Sequence, residues 1–226
     1  MRFPNAAKGV KNIFTAQILQ LIGTICEIIG LVIVITGGAT AVLSKGSEAG
    51  IMAALGQMAG ASIFLVACSI LALIAFIMQI VGIVNAKKDE ESFKSALICL
   101  IIGVIAPFVG ALFLRVSPVV ASLFTTVGSL MGVFVTVFII SGCIKLADQL
   151  NRGDVSAKGS NILKMIIVIA GLSVILSIVS SFMLANVAIM VTALIIMAVA
   201  MVLSVIQYIM FLTFLSQTKK MLNDEK

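Results

Sequence analysis

The sequence predicts an all-α polytopic membrane protein, a bundle of six transmembrane helices. Three observations predict it: the composition, the charge-free runs, and the placement of lysine and arginine. Of the 226 residues, 62% are hydrophobic and 11% charged, against roughly 45–50% and 25% in soluble domains. The mean hydropathy of +1.28 points the same way. Disorder needs the opposite balance, low hydrophobicity with high charge. There is no histidine, so imidazole chemistry and histidine metal ligation are excluded.

The charge-free runs define the helices. After Lys11 an apolar stretch, interrupted only by Glu27, reaches Lys45. Residues 49–86, 95–114, 116–144 and 165–218 carry no charge. About 20 helical residues cross a hydrocarbon core of ~30 Å. The last run is therefore two crossings with a turn at Ala185-Asn186, and the others give one each. The expected spans are 13–36, 61–84, 96–114, 120–144, 162–184 and 188–213. Period-2 alternation is missing, which excludes barrel strands. Residues 46–60, rich in Gly, Ala and Met, exceed what the second crossing needs. They are expected to extend that helix; the alternative is a re-entrant turn.

Basic residues set the orientation. Arg2, Lys8 and Lys11 precede the first span; Lys87, Lys88 and Lys94 lie between the second and third. Lys145, Arg152, Lys158 and Lys164 lie between the fourth and fifth, and Lys219, Lys220 and Lys226 follow the sixth. Of 15 basic residues, only Lys45 and Arg115 fall on the other side of a six-helix arrangement. The positive-inside rule then places both termini in the cytoplasm and the chain in the cytoplasmic (plasma) membrane. The first span is longer than the 7–15 residues of a signal h-region and contains Glu27. It is expected to be retained, although Ala39-Thr40-Ala41 resembles a cleavage site. The net charge of +6 fits contact with anionic headgroups. No soluble segment is long enough for a folded nucleic-acid reader.

The whole chain is expected to form one integral membrane domain, with three tandem hairpin repeats at 7–86, 91–147 and 157–218. Ala7-Lys8-Gly9 matches Ala157-Lys158-Gly159. Leu21-Ile22-Gly23 and Gly30 match Ile101-Ile102-Gly103 and Gly110 at a shift of 80, and Ile169-Ala170-Gly171 falls similarly. Such repeats would be parallel, related by an axis along the membrane normal. In helix count the layout is similar to mitochondrial carriers. Their Pro-x-acidic-x-x-basic signature is absent, because Pro107 is followed by Phe108 and Val109. In the repeat alignment Glu27 falls opposite Pro107 and Ile175, so one depth differs in every repeat.

Glu27 is the most informative position. It lies about 22 Å along the first helix from residue 12, inside the hydrocarbon. An acidic residue there costs at least ~2.5 kcal/mol to insert, so it should face protein or water. Gln17, Gln20, Thr24 and Glu27 step by 3, 4 and 3, which makes a polar stripe. Gly23 and Gly30 beside it permit close helix approach. Two readings are open: interhelical hydrogen bonding, or a proton- or cation-coupled site. Arg115 and Lys45 could reach toward Glu27 by snorkelling. Gln79, Gln207 and Tyr208, the one tyrosine, are the expected polar partners. Pro107 should kink the third helix and help open a cavity near the Glu27 level.

Packing signals are plentiful. Gly56-x-x-x-Gly60 and Gly128-x-x-x-Gly132 are small-x-x-x-small pairs, and Ser173, Ser177 and Ser181 step by four. Each marks a close helix face, suited to a homo-oligomer or a membrane-protein partner. Cys26, Cys68, Cys99 and Cys143 lie in spans without a C-x-x-C pair, as expected of buried free thiols rather than disulfides or a metal site. Enzyme motifs, among them H-E-x-x-H, the P-loop and G-x-S-x-G, are absent. No cofactor is expected. The expected function is a non-enzymatic subunit or scaffold of a membrane complex; the alternative is a small proton- or cation-coupled transporter or channel using Glu27.

Overall fold

The computed structural model describes residues 2–43, 48–114, 117–180 and 187–224. All of its regular elements are helices: α1 (Pro4–Leu43), α2 (Glu48–Ala86), α3 (Ser92–Phe113), α4 (Pro118–Gln149), α5 (Gly153–Ser180) and α6 (Val187–Asp224). All six contain segments long and apolar enough to cross a membrane. The turn expected at Ala185-Asn186 lies outside the described residues, as do Lys45 and Arg115.

The helices are longer than the expected spans. α4 runs to Gln149 and α6 to Asp224, because the polar residues past the hydrocarbon edge are compatible with helix and keep the backbone paired. α2 begins at Glu48, so the Gly/Ala/Met stretch after it is helix, as the extension reading expects.

Local signals explain several ends. Pro4 opens α1 at the first helical position, where its missing N–H costs nothing. Ser117 caps α4 by accepting the Val120 N–H at 3.5 Å, with Pro118 next. α4 ends in a Schellman motif. Asn151 takes the left-handed conformation at φ 54°. The Arg152 N–H donates to the Ala147 carbonyl at 2.9 Å and the Asn151 N–H to that of Asp148 at 3.0 Å. Asparagine tolerates this geometry without glycine.

The chain divides into two compact units, Lys11–Gly82 and Met1–Val10 with Ile83–Lys226. The smaller unit is an α1–α2 hairpin. Its buried positions on α1 include Ala16, Gly23 and Gly30, seven residues apart, the spacing of a helix-packing seam. A Cβ added at Gly30 would lie 2.9 Å from Leu65 Cδ2, so α2 approaches there as only glycine allows.

In the larger unit, α3 and α4 pack antiparallel along a second small-residue seam. A Cβ at Gly110 would meet the Ala121 carbonyl at 3.0 Å, and one at Gly103 would meet Met131 Cβ at 3.2 Å. Between them the Pro107 ring lies against Gly128, where a Cβ would come within 2.6 Å of Pro107 Cγ. α3 continues through Pro107 as one helix. Pro107 lines neither of the clefts described below. The proline is a knob in the Gly128 notch. Phe113 and Phe124 stack at 6.0 Å beyond this seam. Away from it the surface is apolar: Phe108 and Leu112 are 72% and 79% exposed. Lipid solvates such faces, which water would not.

Candidate functional site

The polar stripe of α1 divides. Gln17 and Gln79 are buried, and Gln20 is half-buried. Gln20 Nε2 donates to Gln79 Oε1 at 3.0 Å, which gives one amide pair across the α1–α2 interface. Thr24 and Glu27 are exposed instead. Within the α1–α2 hairpin, therefore, the glycine seam rather than the whole stripe points inward, and Thr24 and Glu27 lie on its outer flank. At 3.6 residues per turn, Glu27 sits about 80° round the axis from Gln17. The Cys26 and Cys68 thiols face each other across the same hairpin, between the Gln20–Gln79 and Gly30–Leu65 contacts.

Two clefts lie among the described residues of the larger unit. One, of about 320 Å³, lies among α4, α5 and α6. Ser129, Thr136 and Gln207 give it polar atoms; Gly132, Val133 and Ile166 are among its apolar walls. Both hydroxyls also donate back to their own helix, Ser129 to the Thr125 carbonyl at 3.1 Å and Thr136 to that of Gly132 at 3.3 Å. Their oxygens keep accepting capacity toward the cleft. Gln207 thus belongs to this cleft, while Gln20 pairs with Gln79. Tyr208 beside it is half-buried. The second cleft, between α5 and α6, is lined by Lys158, Gln217 and Phe214 among others. Neither is lined by Glu27.

The expected packing residues also separate. Gly128 is at a helix contact, whereas Gly132 has nothing within 4 Å of a would-be Cβ and opens onto the first cleft. Gly56 and Gly60 are exposed, with nothing among the described residues within 4 Å. Ser173 and Ser177 fall in α5, but their side chains lie outside the described residues, as does Ser181.

One end of the larger unit gathers charge. Asp89, in the α2–α3 turn, accepts the Ala6 N–H at 2.7 Å and the Asn5 side-chain amide at 3.0 Å. Its carboxylate satisfies a free N–H in the first turn of α1 and meets the positive end of that helix. Glu90, nearly buried, pairs with Lys145 at 3.3 Å and accepts the Ser92 hydroxyl at 3.0 Å. Arg2 donates to the Gln149 carbonyl at 3.1 Å. Phe93 fills the notch at Gly142, where a Cβ would lie 2.6 Å from its ring. These contacts join the start of α1, the α2–α3 turn and the end of α4 at one level, which agrees with the clustering of basic residues in sequence.

Sequence reasoning missed Asp89, because a cap supplied from another part of the chain leaves no local motif. It also missed the polar clefts, since Ser129 and Thr136 become meaningful only beside α6. Among the described residues no three His, Cys, Asp or Glu side chains group as metal ligands would. No protein-family model, curated protein or solved structure matches this chain.

Proposed function

We propose that this chain is a non-enzymatic subunit or scaffold of a membrane complex, with both termini cytoplasmic. In this reading a partner helix, from a second copy or another membrane protein, covers the α1 face that carries Thr24 and Glu27. The observation that carries it is the exposure of Glu27 well inside the α1 span. A carboxylate left toward lipid costs at least ~2.5 kcal/mol, and intramembrane acidic residues normally face protein or water. A partner helix with a hydrogen-bond donor at that depth removes the cost and gains a contact. Among the described residues the Gln20 amide donates to Gln79, and no contact of either with Glu27 accompanies it. The orientation rests on the basic residues at one end of the larger unit.

Coupled transport through Glu27 is the second reading. A specific observation favours transport, the α4–α6 cleft with Ser129, Thr136 and Gln207, although Glu27 is not among its lining residues. Native mass spectrometry from lipid nanodiscs separates the two readings, with wild type compared to Glu27→Leu and Glu27→Gln. The subunit reading expects the wild-type complex to survive Glu27→Gln, which keeps hydrogen bonding, and to dissociate in Glu27→Leu. An assembly unchanged by both variants overturns it. Loss of proton-linked cation uptake in Glu27→Gln, with the assembly unchanged, transfers Glu27 to the transport reading.

A further inference from the structure

The α5–α6 cleft has a polarity gradient along its length. At one end stand Lys158 and Gln217, with the Lys158 ammonium donating to Gln217 Oε1 at 3.0 Å, and Asn161 one turn further on. At the other end stand Ile209 and Met210. Gln217 and Ile209 are eight residues apart on one helix, about 12 Å at 1.5 Å per residue. Between them Ile162 and Phe214 form the floor. Thr213 also lines the cleft and donates its hydroxyl back to the Ile209 carbonyl at 2.9 Å. The volume is about 250 Å³.

The electrostatics at the polar end are one-sided. The described ion pairs are Lys145–Glu90 and Arg152–Asp154, and neither involves Lys158. Its described partner is a neutral amide, and the carboxylate one turn away on α5, Asp154, pairs with Arg152, so the ammonium stands at the mouth of an apolar slot without an ion pair among the described residues. Depth matters as well. Lys164, exposed six residues further along α5, is the last basic residue before the uncharged part of that helix. Lys158 lies about 9 Å from it toward the start of α5; Gly159 packs against Phe214, so Ile209 and Met210 stand at about the level of Lys164, where the uncharged part of the helix pair begins.

We propose that this cleft binds one anionic phospholipid. Its phosphate sits at Lys158, with Gln217 and Asn161 as further hydrogen-bond donors, and an acyl chain lies over Ile162, Phe214, Ile209 and Met210. Charge complementarity selects the sign of the headgroup, and the polarity gradient along the cleft selects an amphiphile over a soluble anion. Basic side chains at this level are established partners of anionic headgroups.

The test is native mass spectrometry of the full chain in detergent, titrated with phosphatidylglycerol or phosphatidylcholine. The wild type should bind one phosphatidylglycerol in preference to phosphatidylcholine. Lys158→Gln should weaken phosphatidylglycerol by about fivefold, the factor one interfacial basic residue supplies, and leave phosphatidylcholine unchanged. Lys87→Gln, an exposed lysine elsewhere, should leave both unchanged. Met210→Trp, which fills the apolar end, should weaken both lipids. Inorganic phosphate at millimolar concentration should displace neither. Equal losses in Lys158→Gln and Lys87→Gln, or no preference between headgroups, would overturn the assignment. Displacement by phosphate alone, or a lipid-independent dimer that Met210→Trp dissociates, would also overturn it.

Discussion

Gly128 and Gly132 lie one turn apart on α4, and the same substitution should act oppositely at the two. In Gly128→Ala the new Cβ would lie 2.6 Å from Pro107 Cγ, 2.9 Å from its Cδ and 3.2 Å from the Gly103 carbonyl oxygen. None of these atoms can rotate away, because one group is a ring fixed in a helix and the other is backbone. The seam must open, at an overpacking cost of ~1–3 kcal/mol. In Gly132→Ala the Cβ meets nothing described within 4 Å and gains up to ~1 kcal/mol of helix propensity. That gain is common to both variants and cancels in their difference. Gly128→Ala should therefore be less stable than Gly132→Ala by ~1–3 kcal/mol, about 5- to 150-fold in the unfolding constant. Reversible unfolding in bicelles, followed by steric trapping, measures it. Equal stabilities would refute the Pro107–Gly128 contact. A larger loss in Gly132→Ala would mean that another molecule packs on that face.

Three further outcomes follow from the contacts described. A double-mutant cycle of Gln20→Leu and Gln79→Leu should give a coupling of ~0.6 kcal/mol, the usual size of a hydrogen bond between membrane helices; zero coupling would deny the 3.0 Å contact. Asp89→Ala removes an acceptor from the first turn of α1, worth ~1 kcal/mol. Hydrogen exchange at the Ala6 amide should then speed up by about fivefold, while Asp148→Ala, at an exposed position, should not change it. Asn151→Val places a β-branched residue at the positive φ that ends α4. It should destabilise by ~1–2 kcal/mol in the same unfolding assay, and an unchanged stability would contradict the Schellman geometry.

The six helices were legible because charge in a bilayer is costly and lysine and arginine therefore collect at the ends. Residues 165–218 read as two crossings on length alone. The helix ends were less legible: α4 and α6 continue past the charge-free runs, since leaving the hydrocarbon does not stop a helix. The faces were least legible. Apolar helices carry almost no contrast between sides, so Gln17 to Glu27 read as one inward stripe. The buried line instead follows the small residues Ala16, Gly23 and Gly30, which admit the neighbouring backbone. Gly128-x-x-x-Gly132 looked like one packing motif, yet Pro107 occupies only its first notch. The α4–α6 cleft depends on register between helices, which no single helix encodes.

In the proposed subunit role, protein rather than lipid or water covers Glu27. A photoreactive amino acid at position 27, activated in native membranes, tests it directly, with position 105 on the lipid-facing side of α3 as reference (Ile105 is 54% exposed). One discrete protein adduct is expected from position 27, with lipid adducts dominating at position 105. Lipid adducts alone at both positions would contradict it, and so would quenching by water at position 27.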